Sequence, residues 1–325
     1  MENNLLFEIK KKIEKYEKIV ILRHIRPDGD AVGASLGLRN ILRNSYPNKQ
    51  IKCFAKDFVE NLNFIDKEDD EEVMFYEDAL AIVVDTATKD RISNEHVDLV
   101  KEVIKIDHHP NVDSYGVINY VEVDLSSTCE LIVKIYNQFK DEWILDEKSA
   151  ELLYMGMVTD SGRFKYSSTD GDTLRNAAVL LDKKINIEKL YANLYLKDFE
   201  TFKLQSEVYK KMKITKAGVA YIYVDKKMQE KFNMTPQEAS QMIGTLDSIK
   251  GSLIWLAFID NPDGSIRVRL RSRFLDINDI AALYNGGGHG RASGATVENL
   301  MEMKFLIKDC NKKLRKFKKE NKEWL

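Results

Sequence analysis

Cysteine is scarce in this chain. Only three occur in 325 residues, Cys53, Cys129 and Cys310, and their separations form neither a disulfide framework nor a zinc knuckle. An excess of charge of one sign is also missing: 50 Lys and Arg face 52 Asp and Glu, for a formal net charge of -2. That balance argues against a bulk electropositive coat for nucleic acid, while a local basic patch stays open. No apolar run nears the ~20 residues of a membrane span, and the opening Met1-Glu2-Asn3-Asn4 has no basic-plus-apolar signal segment. Internal repeats and low-complexity tracts are absent. The expectation is a cytoplasmic protein in a reducing compartment, without membrane attachment.

At roughly 150 residues per domain the length suggests two domains, and 44% hydrophobic residues suffice for a core in each. Charge divides unevenly between them. Residues 213–325 hold 20 Lys and Arg against 13 Asp and Glu, a net of +7, whereas residues 1–212 hold 30 against 39, a net of -9. In the front part, apolar runs over 19–22, 51–54, 80–84 and 103–106 read as strands. Residues 31–44, 129–139, 147–158 and 169–181 carry apolar positions three and four apart, as helices do, with Thr169 or Asp170 capping the last. Strands lying between helices imply a βαβ sheet, mostly parallel and flanked by helices. Residues 190–212 read as a helix running into a connector. Behind it, 219–224, 253–259 and 266–271 are strand candidates, the last two joined by the turn Asn261-Pro262-Asp263-Gly264. The residues after Met301 read as a lysine-rich helix with apolar Phe305, Leu306, Cys310, Leu314 and Phe317. The fold class is α/β: a larger domain with a mostly parallel sheet over 1–190, a connector over 191–212, and a smaller domain with a mixed sheet over 213–325.

Unusual side chains cluster just beyond the front strands. After residues 19–22 come His24, Arg26, Asp28 and Asp30; after 80–84 comes Asp85; after 103–106 come Asp107-His108-His109-Pro110. The carboxyl ends of parallel strands open on one crevice, so these segments can converge there. Asp160, in Thr159-Asp160-Ser161-Gly162, follows the apolar helix and can close the same crevice. Histidine is rare, five in the chain, and three of the five fall in these clusters. Four carboxylates and two or three imidazoles in one place repel one another unless cations neutralise them. Ligation by carboxylate and imidazole without cysteine suits Mn²⁺, and less strongly Mg²⁺, Co²⁺ or Fe²⁺. The candidates outnumber the ligands of one ion, which favours two ions sharing a carboxylate at the ~3.5–4 Å spacing of two-metal hydrolases.

These motifs, with Gly286-Gly287-Gly288-His289-Gly290-Arg291-Ala292-Ser293-Gly294, resemble the DHH phosphoesterases that carry a DHHA1 domain, and in particular their small bacterial oligoribonuclease/pAp-phosphatase branch. The resemblance runs from residue 24 to residue 294; Ala34 stands where the branch often has serine. It implies that His24 and Asp28 hold one metal ion, that Asp30, His108 and Asp160 hold the other, and that Asp85 bridges two Mn²⁺. It also implies that His109 is no ligand but sits beside the transferred phosphoryl group, with Asp107 fixing an imidazole. Arg26 either approaches a substrate phosphate or lies on the rim.

In the back domain Arg267, Arg269, Arg271 and Arg273 alternate, which places them on one face of a strand. They form either a solvated basic face or a row of forks for anionic oxygens. The glycine run brings backbone N–H groups close to a ligand, and a helix beginning near Arg291 would aim its positive end at an anion. The resemblance makes Arg271 and Ser272 a contact pair and assigns Gly287, Gly288, His289 and Arg291 to the grip on a nucleotide. Tyr284 and Asn285 are candidates for stacking on or bonding to a base. Lys312, Lys313, Lys316, Lys318 and Lys319 read as a solvated helix face rather than a nucleic-acid groove.

The function so implied is two-metal hydrolysis of short RNA, from dinucleotides such as pGpG or pApA to pentanucleotides, and dephosphorylation of 3′-phosphoadenosine 5′-phosphate (pAp). Long duplex nucleic acid is not an expected partner, and a homodimer is open. Rival readings are a manganese inorganic pyrophosphatase, a cyclic-dinucleotide phosphodiesterase or single-strand exonuclease of the same superfamily, and a non-catalytic nucleotide-binding protein.

Overall fold

Uninterrupted runs of β-branched and small apolar residues make strands that can be buried on both faces, as parallel sheets require. The computed structural model, which describes residues 2–57 and 62–321 apart from the side chains of Glu2, Asn3 and His289, builds such a sheet first. The chain divides into two compact units between Leu196 and Lys197. In order, the first unit contains α1 (Glu2–Lys15), β1 (Lys18–Leu22), α2 (Gly29–Ser45), β2 (Gln50–Cys53), β3 (Leu80–Val84), β4 (Glu102–Asp107) and β5 (Ile118–Val121). Four helices follow: α3 (Thr128–Gln138), α4 (Glu147–Asp160), α5 (Gly171–Leu181) and α6 (Ile187–Tyr195).

The sheet runs β2-β1-β3-β4-β5, and every pairing in it is parallel. Side chains alternate between its faces. Ile19, Ile21, Leu80, Ile82, Val84, Ile104 and Ile106 join a core that holds the buried residues of all six helices. Val20, Leu22, Ala81 and Val83 face the other way, against Phe54, Phe75, Tyr76, Ile92 and Val97. Helices therefore cover one face only; loops and short 3₁₀ turns such as Val73–Phe75 and Glu95–Leu99 close the second.

Three glycines four residues apart let α2 lie almost backbone to backbone on α4. A Cβ added at Gly29 would come within 2.3 Å of Thr159 Oγ1, one at Gly33 within 2.5 Å of the Leu152 carbonyl oxygen, and one at Gly37 within 2.8 Å of Leu153. From the other side, a Cβ on Gly156 would meet Cys129 Sγ at 2.2 Å and Asp30 Oδ1 at 2.9 Å.

The second unit contains α7 (Phe199–Lys211), β6 (Lys213–Ile214), β7 (Val219–Val224), α8 (Lys226–Lys231), α9 (Pro236–Ser240), β8 (Ile254–Asp260) and β9 (Ile266–Ser272). It ends with α10 (Asn278–Ala282), β10 (Gly287–His289), β11 (Ala292–Val297) and α11 (Leu300–Glu320). Its sheet is mixed, in the order β10-β11-β9-β8-β7-β6, with β7 and β8 parallel. One face packs on α10 and α11 through Leu256, Phe258, Val268, Leu270, Leu306 and Leu314. On the other, Ala220, Ile222, Trp255 and Ala257 pack with residues of α7, α8 and α9.

Two expectations need revision. The stretch read as one helix over residues 190–212 is two, α6 ending at Tyr195 and α7 starting at Phe199, with Leu196 and Asp198 extended between them. No helix begins near Arg291: Ala292–Val297 is a strand, paired antiparallel with β9. Its residues alternate in burial, a period of two that no helix can satisfy.

Replacing Gly33 by Ala should destabilise the fold by about 1–3 kcal/mol, because the new methyl meets backbone in α4 rather than a movable side chain. Gly244→Ala, where a Cβ meets nothing within 4 Å, should change stability by less than about 0.5 kcal/mol. Equal melting temperatures for the two variants would contradict the close helix contact.

Candidate metal centre and nucleotide-contacting face

Each carboxylate in the crevice is set by a local feature of the chain. Asp28 is the N-cap of α2, its Oδ1 accepting hydrogen bonds from the amides of Asp30 and Ala31 at 3.1 Å. Asp30, 1% exposed, accepts from the first amides of α3, Thr128 N at 2.7 Å and Cys129 N at 2.9 Å. That is an anion seated on a helix N-terminus. Asp85 turns off the end of β3 in the left-handed region, φ 51°, and its Oδ1 accepts from Thr128 Oγ1 at 3.0 Å. A non-glycine residue held there stores strain of the kind found at functional sites. Asp160 is the last residue of α4, one residue past the α2 contact at Thr159.

The two imidazoles are oriented by backbone. His24 Nδ1 lies 2.8 Å from the Ile25 carbonyl oxygen and His108 Nδ1 lies 3.2 Å from that of Leu125. A carbonyl only accepts, so each Nδ1 carries a hydrogen and each Nε2 is left turned toward the crevice. Both Nε2 atoms face carboxylates. His24 Nε2 is 3.4 Å from Asp85 Oδ2 and 3.9 Å from Asp28 Oδ1. His108 Nε2 is 3.3 Å from Asp160 Oδ2, 3.8 Å from Asp85 Oδ1 and 3.9 Å from Asp30 Oδ2. An Nε2 among carboxylates is balanced either by a proton on the ring or by a cation in its place, and this mixed imidazole and carboxylate donor set fits divalent cations. Three groups of ligand atoms, His24/Asp28/Asp85, Asp30/His108/Asp160 and Asp85/His108/His109, each lie within 4.8 Å of one another.

His109 belongs to the third of these groups, and Asp107 also holds it. Its Nδ1 is 2.9 Å from Asp107 Oδ1, which also accepts its backbone N–H. Asp107 thus orients His109 rather than His108. Asp85 Oδ1 is also near the same nitrogen, at 3.4 Å. Arg26 also has positive φ, 55°; its backbone N–H is held by Asp57, and its side chain forms no ion pair among the described residues. Buried Arg23, unnoticed in the sequence, ties the His24 carbonyl to Asp57 and Glu68.

The electrostatics also suit a cation. Burial, then the charges of Asp85, Asp160 and Asp28, pushes the Asp30 carboxyl well up. Burial also lifts Asp160 to about 6, against the pull of His108. Burial works to raise Asp85 too, but the surrounding histidines overcome it and hold this carboxyl low. The hydrogen bond to Asp107 lifts His109 to about 9, burial opposing it.

In the second unit Arg267, Arg269 and Arg271 share one face of β9, opposite Thr296, Gly294 and Ala292 of β11. Burial and the neighbouring arginines weigh against the charged forms of Arg269 and Arg271, so an anion is welcome there. Arg271 donates to the carbonyl of Leu270. Ser272 is 8% exposed, and its hydroxyl donates to the Leu275 carbonyl at 2.5 Å. Arg273 lies past the strand, bonded to the Asp247 carbonyl and stacked over Trp255.

The glycines of this loop differ in purpose. A Cβ at Gly286 would strike the Gly294 carbonyl oxygen at 2.1 Å and one at Gly290 would strike Asp276 at 2.2 Å, whereas one at Gly287 meets nothing within 4 Å. Gly286 and Gly290 are needed for packing; Gly287 leaves its backbone open. Arg291 is exposed and the His289 side chain lies outside the described residues. Tyr284 packs against the core and donates to Asp309 at 2.7 Å, so its hydroxyl is committed away from a base.

Cation binding should be weaker at pH 5 than at pH 7.5, since a proton competes for Asp160 below about 6. Calorimetric titration with Mn²⁺ measures this, and Asp160→Asn should both weaken binding and flatten its pH dependence. Identical affinities at the two pH values would speak against a shared site for proton and cation.

Known proteins bear on these geometries. The DHH family N-terminal domain matches residues 18–157 and the DHHA1 domain matches residues 216–320. The bifunctional oligoribonuclease and PAP phosphatase NrnA of Bacillus subtilis (strain 168) is 39% identical over 304 residues, 93% of this chain and 96% of the relative. The protein of the same name from Mycoplasma genitalium is 36% identical over 323 residues, 97% and 99% of the two chains. A crystal structure of an exopolyphosphatase-related protein from Bacteroides fragilis superposes with a TM-score of 0.85 at 27% identity, covering 99% of this chain and 98% of that one. With both domains matched in order and relatives aligned end to end, the chain belongs to the DHH/DHHA1 phosphoesterases, in the NrnA-like branch.

Proposed function

We propose that the protein hydrolyses short RNA, dinucleotides to pentanucleotides including pGpG and pApA, to mononucleotides, and removes the 3′-phosphate of pAp. The observation that carries this reading is the pair of imidazole Nε2 atoms gathered with four carboxylates, a donor set able to hold divalent cations. The names of the similar proteins from Bacillus subtilis and Mycoplasma genitalium, oligoribonuclease and PAP phosphatase, support the choice of substrates. In this reading His24 and Asp28 hold one ion, Asp30, His108 and Asp160 the other, and Asp85 both; the donor set favours Mn²⁺. Three buried free thiols suit a reducing compartment such as the cytoplasm.

Bound divalent cations supply a water of lowered pKa and withdraw charge from the phosphoryl oxygens. His109, protonated at neutral pH through Asp107, donates its proton to the leaving ribose oxygen. As the water oxygen bonds to phosphorus, the ester P–O bond breaks and the leaving oxygen takes that proton. The proton shed by the water restores His109 through solvent. The Arg267–Arg271 row, Ser272, the Gly287–Gly288 backbone, His289 and Arg291 bind the rest of the nucleotide, and Arg26 a phosphate at the rim.

Purified protein with Mn²⁺ should release mononucleotides from pGpG and phosphate from pAp, and EDTA should stop both. Asp85→Ala should lower kcat by at least ~10³-fold, the order expected when preorganised charge stabilisation is removed. Faster phosphate release from pyrophosphate than from pAp would favour a pyrophosphatase, and preferential opening of cyclic dinucleotides a cyclic-dinucleotide phosphodiesterase.

A further inference from the structure

Lysine is rarely buried, and Lys105, in the middle of β4, is fully buried. The strand's alternation turns it away from the helix-covered face, into the loop-covered layer beneath the crevice. Its Nζ donates to the Ala87 carbonyl at 2.8 Å and to the Asp113 carbonyl at 3.0 Å. It stands 3.5 Å from Asp107 Oδ2 and 5.0 Å from the centre of the Tyr115 ring. Tyr115 in turn donates to the Thr86 carbonyl at 2.8 Å. The ammonium thereby ties together the turn that follows Asp85 and the loop that follows His109.

Asp107 is as buried as Lys105. Its Oδ1 is taken by His109, while its Oδ2 has no hydrogen-bond partner among the described residues. The only lysine or arginine beside that oxygen among the described residues is Lys105. With Lys105 gone, no charged partner among the described residues would hold that oxygen, and Asp107 would keep His109 less firmly in place.

We infer that Lys105 is a positioning residue for phosphoester hydrolysis: it holds Asp107 in place, and Asp107 fixes the ring from which His109 delivers its proton. The inference rests on the proposed role of His109 as proton donor. It concerns expulsion of the leaving group, because that is the step the His109 proton serves.

The test compares leaving groups on the full-length Mn²⁺-loaded protein. A ribose oxygen leaves poorly without a proton, whereas p-nitrophenolate needs none. Lys105→Met should lower kcat on a dinucleotide by ~10–100-fold with KM within threefold, part of the ~10²–10⁴-fold that a general acid contributes, and should lower kcat on the p-nitrophenyl ester of a nucleotide by less than threefold. Combined with His109→Gln it should cost nothing further on the dinucleotide. Mn²⁺ stoichiometry measured by calorimetry should match the unmodified protein. Equal losses on both substrates, an additive effect with His109→Gln, or no loss at all would overturn the inference. If Lys105→Met does not fold, Lys105→Gln keeps a donor for the two carbonyls but removes the charge, and the same comparison decides. Failure of the unmodified protein on both substrates would instead reject the proposed function.

Discussion

The contact between α2 and α4 is the constraint on which the crevice depends. Asp28 and Asp30 ride at the start of α2, and Asp160 ends α4. The two helices come close enough to share a site only because Gly29, Gly33, Gly37 and Gly156 leave out their side chains. Interiors are packed at crystal-like density, so a methyl inserted at such a crossing has to move a helix. The same crossing holds the N-terminus of α3 against Asp30 through Cys129, which makes the anion's seat part of the core.

Around that fixed point the molecule separates what must be precise from what must be open. The ligand-bearing side chains rise from strand ends and helix ends, elements that hold position better than loops do. His109 is held on one side by Asp107, and Asp107 by Lys105, in a line running from the buried layer to the crevice. In the second unit the arginines occupy one face of a strand while Gly286 and Gly290 draw β10 against its neighbours, which leaves Gly287 as the place where backbone meets solvent.

Much of this was readable from the chain. Strands buried on both faces appear as plain apolar runs, so β1, β3 and β4 and the acidic or histidine residues at their ends were found together. Short β5 was not, because the four residues Ile118–Val121 carry too little pattern. The amphipathic α1 had its signal in Leu6, Ile9 and Ile13 but followed no motif that drew attention to it. The four-residue spacing of the α2 glycines was visible, yet its meaning depended on a partner helix more than a hundred positions away. Arg291 invited a helix because glycine-rich loops often precede one; pairing with β9, a tertiary matter, decided otherwise. Lys105 looked like one more polar interruption of a strand, and only burial revealed what it touches.

Asp28 does two jobs with one oxygen. The atom that accepts the first amides of α2 is also the one nearest His24 Nε2, so a cation drawn to it shares electron density with a helix start. In the proposed reading, an ion at that oxygen would link its own occupancy to the integrity of that first turn: whatever loosened one would loosen the other. Loss of an ion would register as fraying at the head of a buried helix as well as a missing reagent, and reloading would wind that turn back into register.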